Sequence, residues 1–161
     1  MVLRALPLVE TPIRLVLTGL DGAMLTDPLP EIPARHAVVR LPFDPAIRPL
    51  YELVELALHP SRWDALPQAV LEAMALGKPV IASRATGNAV IIRDGIDGVL
   101  VEPMHPPAWA AAIDRLLRDR ALANRLAAAA PRRAREDFPF ERTVAETHAL
   151  FRELCAGRRP A

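Results

Sequence analysis

The sequence predicts an α/β domain with a Rossmann-like, doubly wound parallel sheet. Short aliphatic runs alternate with longer stretches that carry apolar residues at helical spacing, which is the pattern of strand–helix repeats. The predicted strands are apolar almost throughout, as expected for parallel strands covered on both faces. A length of 161 residues favours one domain, which we place at residues 1–156, followed by a disordered tail at 157–161.

Five strands are predicted from short runs rich in Val, Ile and Leu. These runs are Ile13–Thr18, Ala37–Leu41, Leu56–His59, Pro79–Ser83 and Gly98–Val101. Between the first two, residues 21–35 carry three prolines and no periodicity, and this segment is predicted to be a loop.

Five helices are predicted from the spacing of their apolar residues. They are Pro45–Glu55, Pro67–Leu76, Pro106–Arg118, Ala121–Phe138 and Phe140–Cys155. Pro67 and Gly77 stand where helices favour a first-turn proline and a terminating glycine. Trp109 is predicted to be a core residue, and His148, on the apolar stripe of the last helix, a packed histidine.

Composition excludes several classes of protein. Hydrophobic residues make up 52% and charged residues 24%, which is typical of a soluble globular domain. A net charge of +1 argues against nucleic acid as a partner. The single cysteine, Cys155, and the absence of a leader peptide or a long apolar run predict a cytoplasmic protein without a transmembrane segment.

Most catalytic signatures are missing. The chain contains no GxSxG elbow, GxGxxG fingerprint or Walker loop, and its four histidines lack ligand spacing, so no metal site is expected. The run LVLTGLDGAML is similar to the opening of haloacid-dehalogenase phosphatases. Gly19 stands where those enzymes place their nucleophilic aspartate, which excludes that chemistry.

The informative segment runs from Leu58 to Val101. A strand ends there in a loop, and the helix opened by Pro67 presents free backbone N–H groups that can hold a diphosphate. Asp64, just before that helix, can accept hydrogen bonds from a polyol. Glu72, a turn into the helix, can accept hydrogen bonds from a second pair of hydroxyls, such as those of a ribose. All these groups follow the carboxyl end of a strand, where α/β sheets bind ligands.

The same segment closely resembles the C-terminal, donor-binding lobe of retaining glycosyltransferases of the GT-B architecture, in particular family 4, the glycosyl transferases group 1. The resemblance covers about residues 2–155. The residues that carry it are Glu72–Ala75, Gly77, Pro79–Ser83, Gly87, Ile92, Asp94-Gly95, Gly98 and Leu100-Val101, with Phe138–Arg142 similar to the family's closing motif.

This resemblance implies transfer of a hexosyl group from a nucleotide diphosphate sugar with retention, and no required metal or other cofactor. It implies that Glu72 contacts the ribose and that Asp64 contacts the sugar together with Thr86 and Gly87. The diphosphate is expected at the backbone of Ala65, Leu66, Pro67 and Gln68. The base, the acceptor and the catalytic residue stay unassigned.

The chain departs from the family pattern in four places. Asp64 replaces a glutamate, Ala65 and Thr86 replace glycines, and Val90 replaces a glutamate. In the family, an acceptor lobe, an Arg/Lys loop for the diphosphate and the lobe's first strand precede the position of Met1. We therefore expect a truncated first sheet edge, an exposed apolar face that causes self-association, and an acceptor-lobe polypeptide as a partner.

Two interpretations of the function stay open. In the first, the chain is an active transferase, or part of one, that needs a separate acceptor lobe. In the second, it is a non-catalytic remnant or interaction module that keeps the fold. The positions of Arg40, Arg62 and Arg84 relative to a phosphate do not follow from the sequence.

Structural alternatives also stay open for single residues. Asp64 can be a helix cap, and Glu72 a solvated residue paired with an arginine. The segment Thr86–Asn88 and the pair Asp94-Gly95 can be turns, and Trp63 is predicted to pack rather than to stack on a ligand. The arginine-rich helix is predicted to be a solvated face; its arginines are Arg125, Arg132, Arg133 and Arg135.

Overall fold

The computed structural model describes residues 1–19 and 30–157. Its strands are β1 (Arg14–Thr18), β2 (Ala37–Leu41), β3 (Ala57–His59), β4 (Val80–Ser83) and β5 (Val99–Val101). Its helices are α1 (Val2–Ala5), α2 (Arg48–Leu53), α3 (Gln68–Ala75), α4 (Thr86–Ile91), α5 (Pro106–Arg118), α6 (Arg120–Asp137) and α7 (Phe140–Cys155), with a 3₁₀ turn at Leu6–Leu8. Most of the predicted loop at 21–35 and of the predicted tail lies outside the described residues.

All the strand pairs are parallel, which confirms the predicted α/β class. The strands form two ladders, β1–β2 and β3–β4–β5, instead of one continuous sheet. A cavity of about 1000 Å³ separates them and is lined by β1 on one side and β3 on the other. The open strand edges therefore lie between the two ladders as well as at the outside.

Helices cover both faces of the β3–β4–β5 sheet. Ile81 packs with Trp109 and Ile113 of α5, whereas its neighbours Val80 and Ala82 pack on the opposite side, with α3 and α6. Successive side chains of a strand point to opposite faces, and all four residues of β4 are buried. This layering is the doubly wound arrangement, and Trp109 is in the core as predicted.

The two longest helices after β5 differ in burial. In α6, Arg133 departs from the predicted solvated face, because its guanidinium donates to the carbonyls of Val90 (2.9 Å) and Ile91 (3.1 Å). In α7 no residue is buried. The prediction of a packed His148 is therefore wrong, since the apolar stripe of α7 faces solvent among the described residues.

Several boundaries also differ from the prediction. α2 begins only at Arg48, because the Asp44 carboxylate binds the backbone N–H of Ala46 (2.8 Å) in a turn before the helix. α1 was not predicted, and four residues are too few for helical periodicity to show. No described helix has both the length and the apolar character needed to cross a membrane.

Candidate functional site

The candidate site is built around the β3–α3 loop, which we define as residues 60–67. Its start is tied to β4, because the Ser83 hydroxyl donates to the carbonyl of Ser61. The buried Asn88 side chain donates in turn to the carbonyl (2.9 Å) and the hydroxyl (3.0 Å) of Ser83. This polar network holds the loop, the end of β4 and the start of α4 together.

The middle of the loop touches the start of α4 directly. The backbone N–H of Gly87 donates to the carbonyl of Asp64 at 3.0 Å. A Cβ atom at position 87 would lie 2.4 Å from the carbonyl oxygen of Ala65 and 2.5 Å from that of Asp64. Glycine is required here by the close approach of two backbone segments, and Asp64 and Thr86–Gly87 are brought together. Thr86–Asn88 is the first turn of α4, so its interpretation as a simple turn is wrong.

The side chain of Asp64 lies partly open to solvent, with 34% of its surface exposed. One carboxylate oxygen is 3.5 Å from Nε2 of His59, which is an ion-pair distance without hydrogen-bond geometry. Burial lowers the pKa of His59, and the nearby Asp64 carboxylate only partly offsets this effect. Asp64 is no helix cap, because α3 starts after Pro67 without a side-chain cap.

The first turn of α3 presents backbone donors. The amides of Gln68 and Ala69 have no hydrogen-bond partner among the described residues, as expected for the start of an uncapped helix. Pro67 is buried, whereas Ala65, Leu66 and Gln68 are exposed. Two free N–H groups and the positive end of the helix dipole make this turn attractive to an anion.

Glu72 lies one turn further along α3 and is exposed. It forms no ion pair with any described residue, so its interpretation as the partner of an arginine is wrong. Its neighbour is Tyr51, whose hydroxyl donates to the carbonyl of Ala69 at 3.0 Å. Burial, and to a lesser extent the charge of Glu72, raise the pKa of Tyr51. Sequence reasoning missed Tyr51, because nothing in the local pattern of α2 marks this tertiary contact.

The candidate phosphate-binding arginines occupy different places. The guanidinium of Arg84 pairs with Asp94 at 2.6 Å and with Glu102 at 3.4 Å. These pairs stabilise the turn at Asp94-Gly95, where Gly95 has a φ of 74°, so this pair forms a turn, as the structural interpretation predicts. Arg62 lines a small cavity with Arg4, and Arg40 is exposed on β2.

Two further observations concern binding groups. Trp63 is 77% exposed, so the prediction that it packs is wrong; its indole stands in solvent on the β3–α3 loop. Among residues 1–19 and 30–157, no three His, Cys, Asp or Glu side chains are grouped as a metal site would require.

Comparison with known proteins connects this geometry to a family. The family model described as "Glycosyl transferases group 1" matches residues 1–119. A D-inositol 3-phosphate glycosyltransferase of Salinispora tropica is 37% identical over 110 residues, which is 68% of this chain and 23% of that protein. The alpha-D-kanosaminyltransferase of Streptomyces kanamyceticus is 37% identical over 78 residues, or 48% of this chain and 20% of that protein. The chain thus spans about a quarter of the length of the inositol phosphate glycosyltransferases that it matches.

Solved structures share the fold. Sucrose-phosphate synthase from Thermosynechococcus elongatus superposes with a TM-score of 0.69 at 30% identity, covering 74% of this chain and 31% of that one. HepE of Anabaena in complex with UDP gives 0.65 at 28% identity, with 70% and 32% covered. The HepE complex with UDP-glucose gives 0.78 at 24% identity, with 92% and 44% covered. The chain therefore belongs to the glycosyl transferases group 1 family, and its fold is that of a Rossmann-like lobe of a GT-B glycosyltransferase.

Proposed function

We propose that this chain is the donor-binding lobe of a glycosyltransferase and that it binds a nucleotide diphosphate sugar at the β3–α3 loop. The observation that carries the proposal is the contact between Gly87 and Asp64, which places two separate candidate segments beside the open first turn of α3. The UDP complexes of HepE support a nucleotide-sugar donor as the ligand class.

Each part of the donor has a candidate partner. The diphosphate binds the free amides of Gln68 and Ala69, where the helix dipole favours negative charge. Asp64 and Thr86 accept hydrogen bonds from the sugar, since the contact of Gly87 with the carbonyl of Asp64 holds both side chains near the middle of the loop. Glu72 accepts from the ribose hydroxyls, and its exposed carboxylate is free of competing ion pairs with described residues.

The proposed reaction is transfer of the hexosyl group to an acceptor with retention of configuration. The acceptor is held by a second lobe on another polypeptide segment. Positive charge develops on the sugar and negative charge on the leaving diphosphate, and fixed dipoles such as the start of α3 stabilise the latter. The proposal uses no metal ion and assigns no catalytic residue.

A second candidate function is binding without turnover. The observation in its favour is that Arg84 forms ion pairs with Asp94 and Glu102, so its guanidinium already has two carboxylate partners within the fold. A lobe that binds the nucleotide but lacks a cation beside the diphosphate would keep its affinity for the nucleotide and lose the transfer of the sugar.

Nuclear magnetic resonance locates the ligand. UDP added to the ¹⁵N-labelled chain is expected to shift the amide signals of Gln68, Ala69 and Thr86, while those of the distant exposed helix α7, such as Ala149, stay unchanged. Shifts that spread over the surface without a maximum at the start of α3, or none at saturating nucleotide, would overturn the assignment of the site.

A further inference from the structure

The imidazole of His59 carries a buried nitrogen atom without a hydrogen-bond partner. His59 ends β3 and pairs in register with Ala82 of β4, so the ladder fixes the place of its ring. The Nε2 atom is shielded from solvent and forms no hydrogen bond with any described residue. Buried polar atoms nearly always have a partner in folded proteins, and a buried N–H group without one is costly. An acceptor that approaches Nε2 would therefore be favoured.

The carboxylate of Asp64 lies just beyond hydrogen-bond distance of this nitrogen. Its Oδ2 atom is 3.5 Å from Nε2 of His59, whereas an N–H···O bond is about 2.9 Å long. Burial lowers the pKa of His59, and Asp64, the only charged group that acts on the ring among the described residues, partly offsets this effect. The ring is therefore neutral at neutral pH and carries a single proton, which a neighbouring carboxylate favours on the nitrogen that faces it.

The backbone of Asp64 is held in place, whereas its carboxylate is free to turn. The Asp64 carbonyl accepts a hydrogen bond from the N–H of Gly87 at 3.0 Å. The Trp63 carbonyl, one residue earlier, accepts one from the hydroxyl of Ser61 at 2.7 Å. The carboxylate has no partner among the described residues except the ring of His59. Because the terminal torsion of aspartate has broad preferences, that ring is the group in place to fix the plane of the carboxylate.

We propose that His59 is a positioning residue that orients the Asp64 carboxylate for the donor sugar. When the sugar binds, the gap closes: Nε2–H of His59 donates to Oδ2 of Asp64, and Oδ1 accepts a hydrogen bond from a sugar hydroxyl. Polar contacts of this kind are often long in the free protein and shorten in the complex. A carboxylate whose plane is fixed loses less freedom on binding, so the affinity for the sugar rises.

The inference rests on the proposed function and concerns the sugar alone. In the proposed site the diphosphate binds the amides of Gln68 and Ala69 and the ribose binds Glu72, so UDP meets neither Asp64 nor His59. UDP-glucose adds the one group that Asp64 would contact. A comparison of these two ligands therefore separates an effect on the sugar from an effect on the fold or on the nucleotide.

Calorimetric titrations with UDP and UDP-glucose on a set of variants test the inference. His59→Phe keeps an aromatic ring but removes the donor, and His59→Gln keeps a nitrogen donor without the ring. Asp64→Ala removes the carboxylate and is used alone and combined with His59→Phe. His148→Phe, on the exposed helix α7, is the matched control.

We expect His59→Phe to weaken the binding of UDP-glucose at least about fivefold and to leave that of UDP within about twofold. His59→Gln should bind UDP-glucose more tightly than His59→Phe, and His148→Phe should bind it as the original chain does. In the Asp64→Ala background, His59→Phe should have no further effect, because the partner of the ring is already absent.

An unchanged affinity of His59→Phe for UDP-glucose, or an equal weakening of both ligands, would overturn the inference. An undiminished effect of His59→Phe in the Asp64→Ala background would do the same. Equal losses in His59→Phe and His59→Gln would assign the effect to packing of the ring and overturn it as well. In each of these cases nucleotide binding persists and the proposed function stands. Absence of binding of both ligands up to about 1 mM would instead overturn the proposed function and this inference together.

Discussion

The backbone N–H of Gly87 lies 3.0 Å from the carbonyl oxygen of Asp64 and donates a hydrogen bond to it. This single contact joins the β3–α3 loop to the first turn of α4. The Asn88 side chain, one residue further on, binds Ser83 and so anchors the same turn to β4. The candidate sugar-binding residues are therefore positioned by backbone contacts, and their side chains remain available to a ligand.

The first prediction concerns the Gly87→Ala variant. Its methyl group would meet two carbonyl oxygens at 2.4 and 2.5 Å, and no rotation of a side chain relieves a clash with backbone. We expect a net loss of about 1–3 kcal/mol in the free energy of unfolding, because the cost of the clash outweighs the gain of about 1 kcal/mol in helix propensity. Urea denaturation measures it, with the exposed Thr86→Ala as the control. An unchanged stability of Gly87→Ala would show that the two segments separate freely.

The second prediction concerns Asp114 in α5. Its carboxylate accepts the backbone N–H groups of Glu10 (2.9 Å) and Thr11 (2.8 Å) and so ties the segment before β1 to the core. Burial alone would raise the pKa of Asp114, but these donors and Arg118 outweigh it and lower the pKa. The Asp114→Asn variant is expected to lose about 1.5–3 kcal/mol in the free energy of unfolding.

The Glu10→Gln variant is the control for Asp114, since it removes only an exposed ion pair with Arg118 and should cost less than about 1 kcal/mol. Because the folded pKa of Asp114 is depressed, its contribution is present above the unfolded carboxyl pKa and is lost as the pH falls through the folded value. Equal losses of stability in Asp114→Asn and Glu10→Gln at neutral pH would contradict the role of the Asp114 carboxylate in holding the segment before β1.

The third prediction is a pH dependence caused by His59. Burial lowers the pKa of His59 in the folded state, so between the folded pKa and the unfolded value of about 6.5 the unfolded chain binds more protons. The free energy of unfolding should therefore fall as the pH decreases from about 7.5 to about 5.5. The His59→Gln variant should flatten this dependence, whereas the exposed His148→Gln should keep it. A parallel decline in both variants would assign the effect to other groups.

The fourth prediction concerns the exposed apolar stripe of α7. Phe140, Val144, Phe151 and Leu154 fall on one side of the helix and are 49% to 75% exposed. We expect the purified chain to self-associate through this stripe, because contiguous apolar surface of this kind rarely stays uncovered in solution. A Val144→Glu, Phe151→Glu double variant should be monomeric in light scattering. Ala149→Glu, on the opposite side of α7, adds charge without touching the stripe and should not change the association.

Some helix bounds were predictable because local chemistry marks them. α5 and α7 start and end as predicted: Pro106 occupies the first turn of α5, and Pro139 stands just before α7. α4 was not predictable in the same way, since a six-residue segment containing Gly87 and Asn88 has the composition of a turn. Only the tertiary contact with Asp64 shows why a glycine stands there.

In the sheet and in the site, features set by local sequence were predictable, whereas features set by tertiary contacts were not. The motif spacing placed Asp64 and Glu72 on either side of the start of α3, because that arrangement is local in sequence. The opening between β1 and β3 depends on which strands lie side by side, and apolar periodicity carries no information about strand order. The Tyr51 hydroxyl contacts α3 because α2 packs beside it, and Arg84 forms ion pairs with Asp94 and Glu102. Both contacts depend on tertiary structure, so local sequence patterns do not predict them.

The most direct test of the proposed donor site is calorimetric titration of the chain with UDP, GDP and ADP, repeated with Glu72→Ala. The control is Glu153→Ala, an exposed carboxylate on α7. We predict saturable binding of one nucleotide, unchanged in the control and weakened at least about tenfold, or ~1.4 kcal/mol, by Glu72→Ala. No binding of any nucleotide up to about 1 mM, or binding that is unaffected by Glu72→Ala, would contradict the site proposed at the β3–α3 loop.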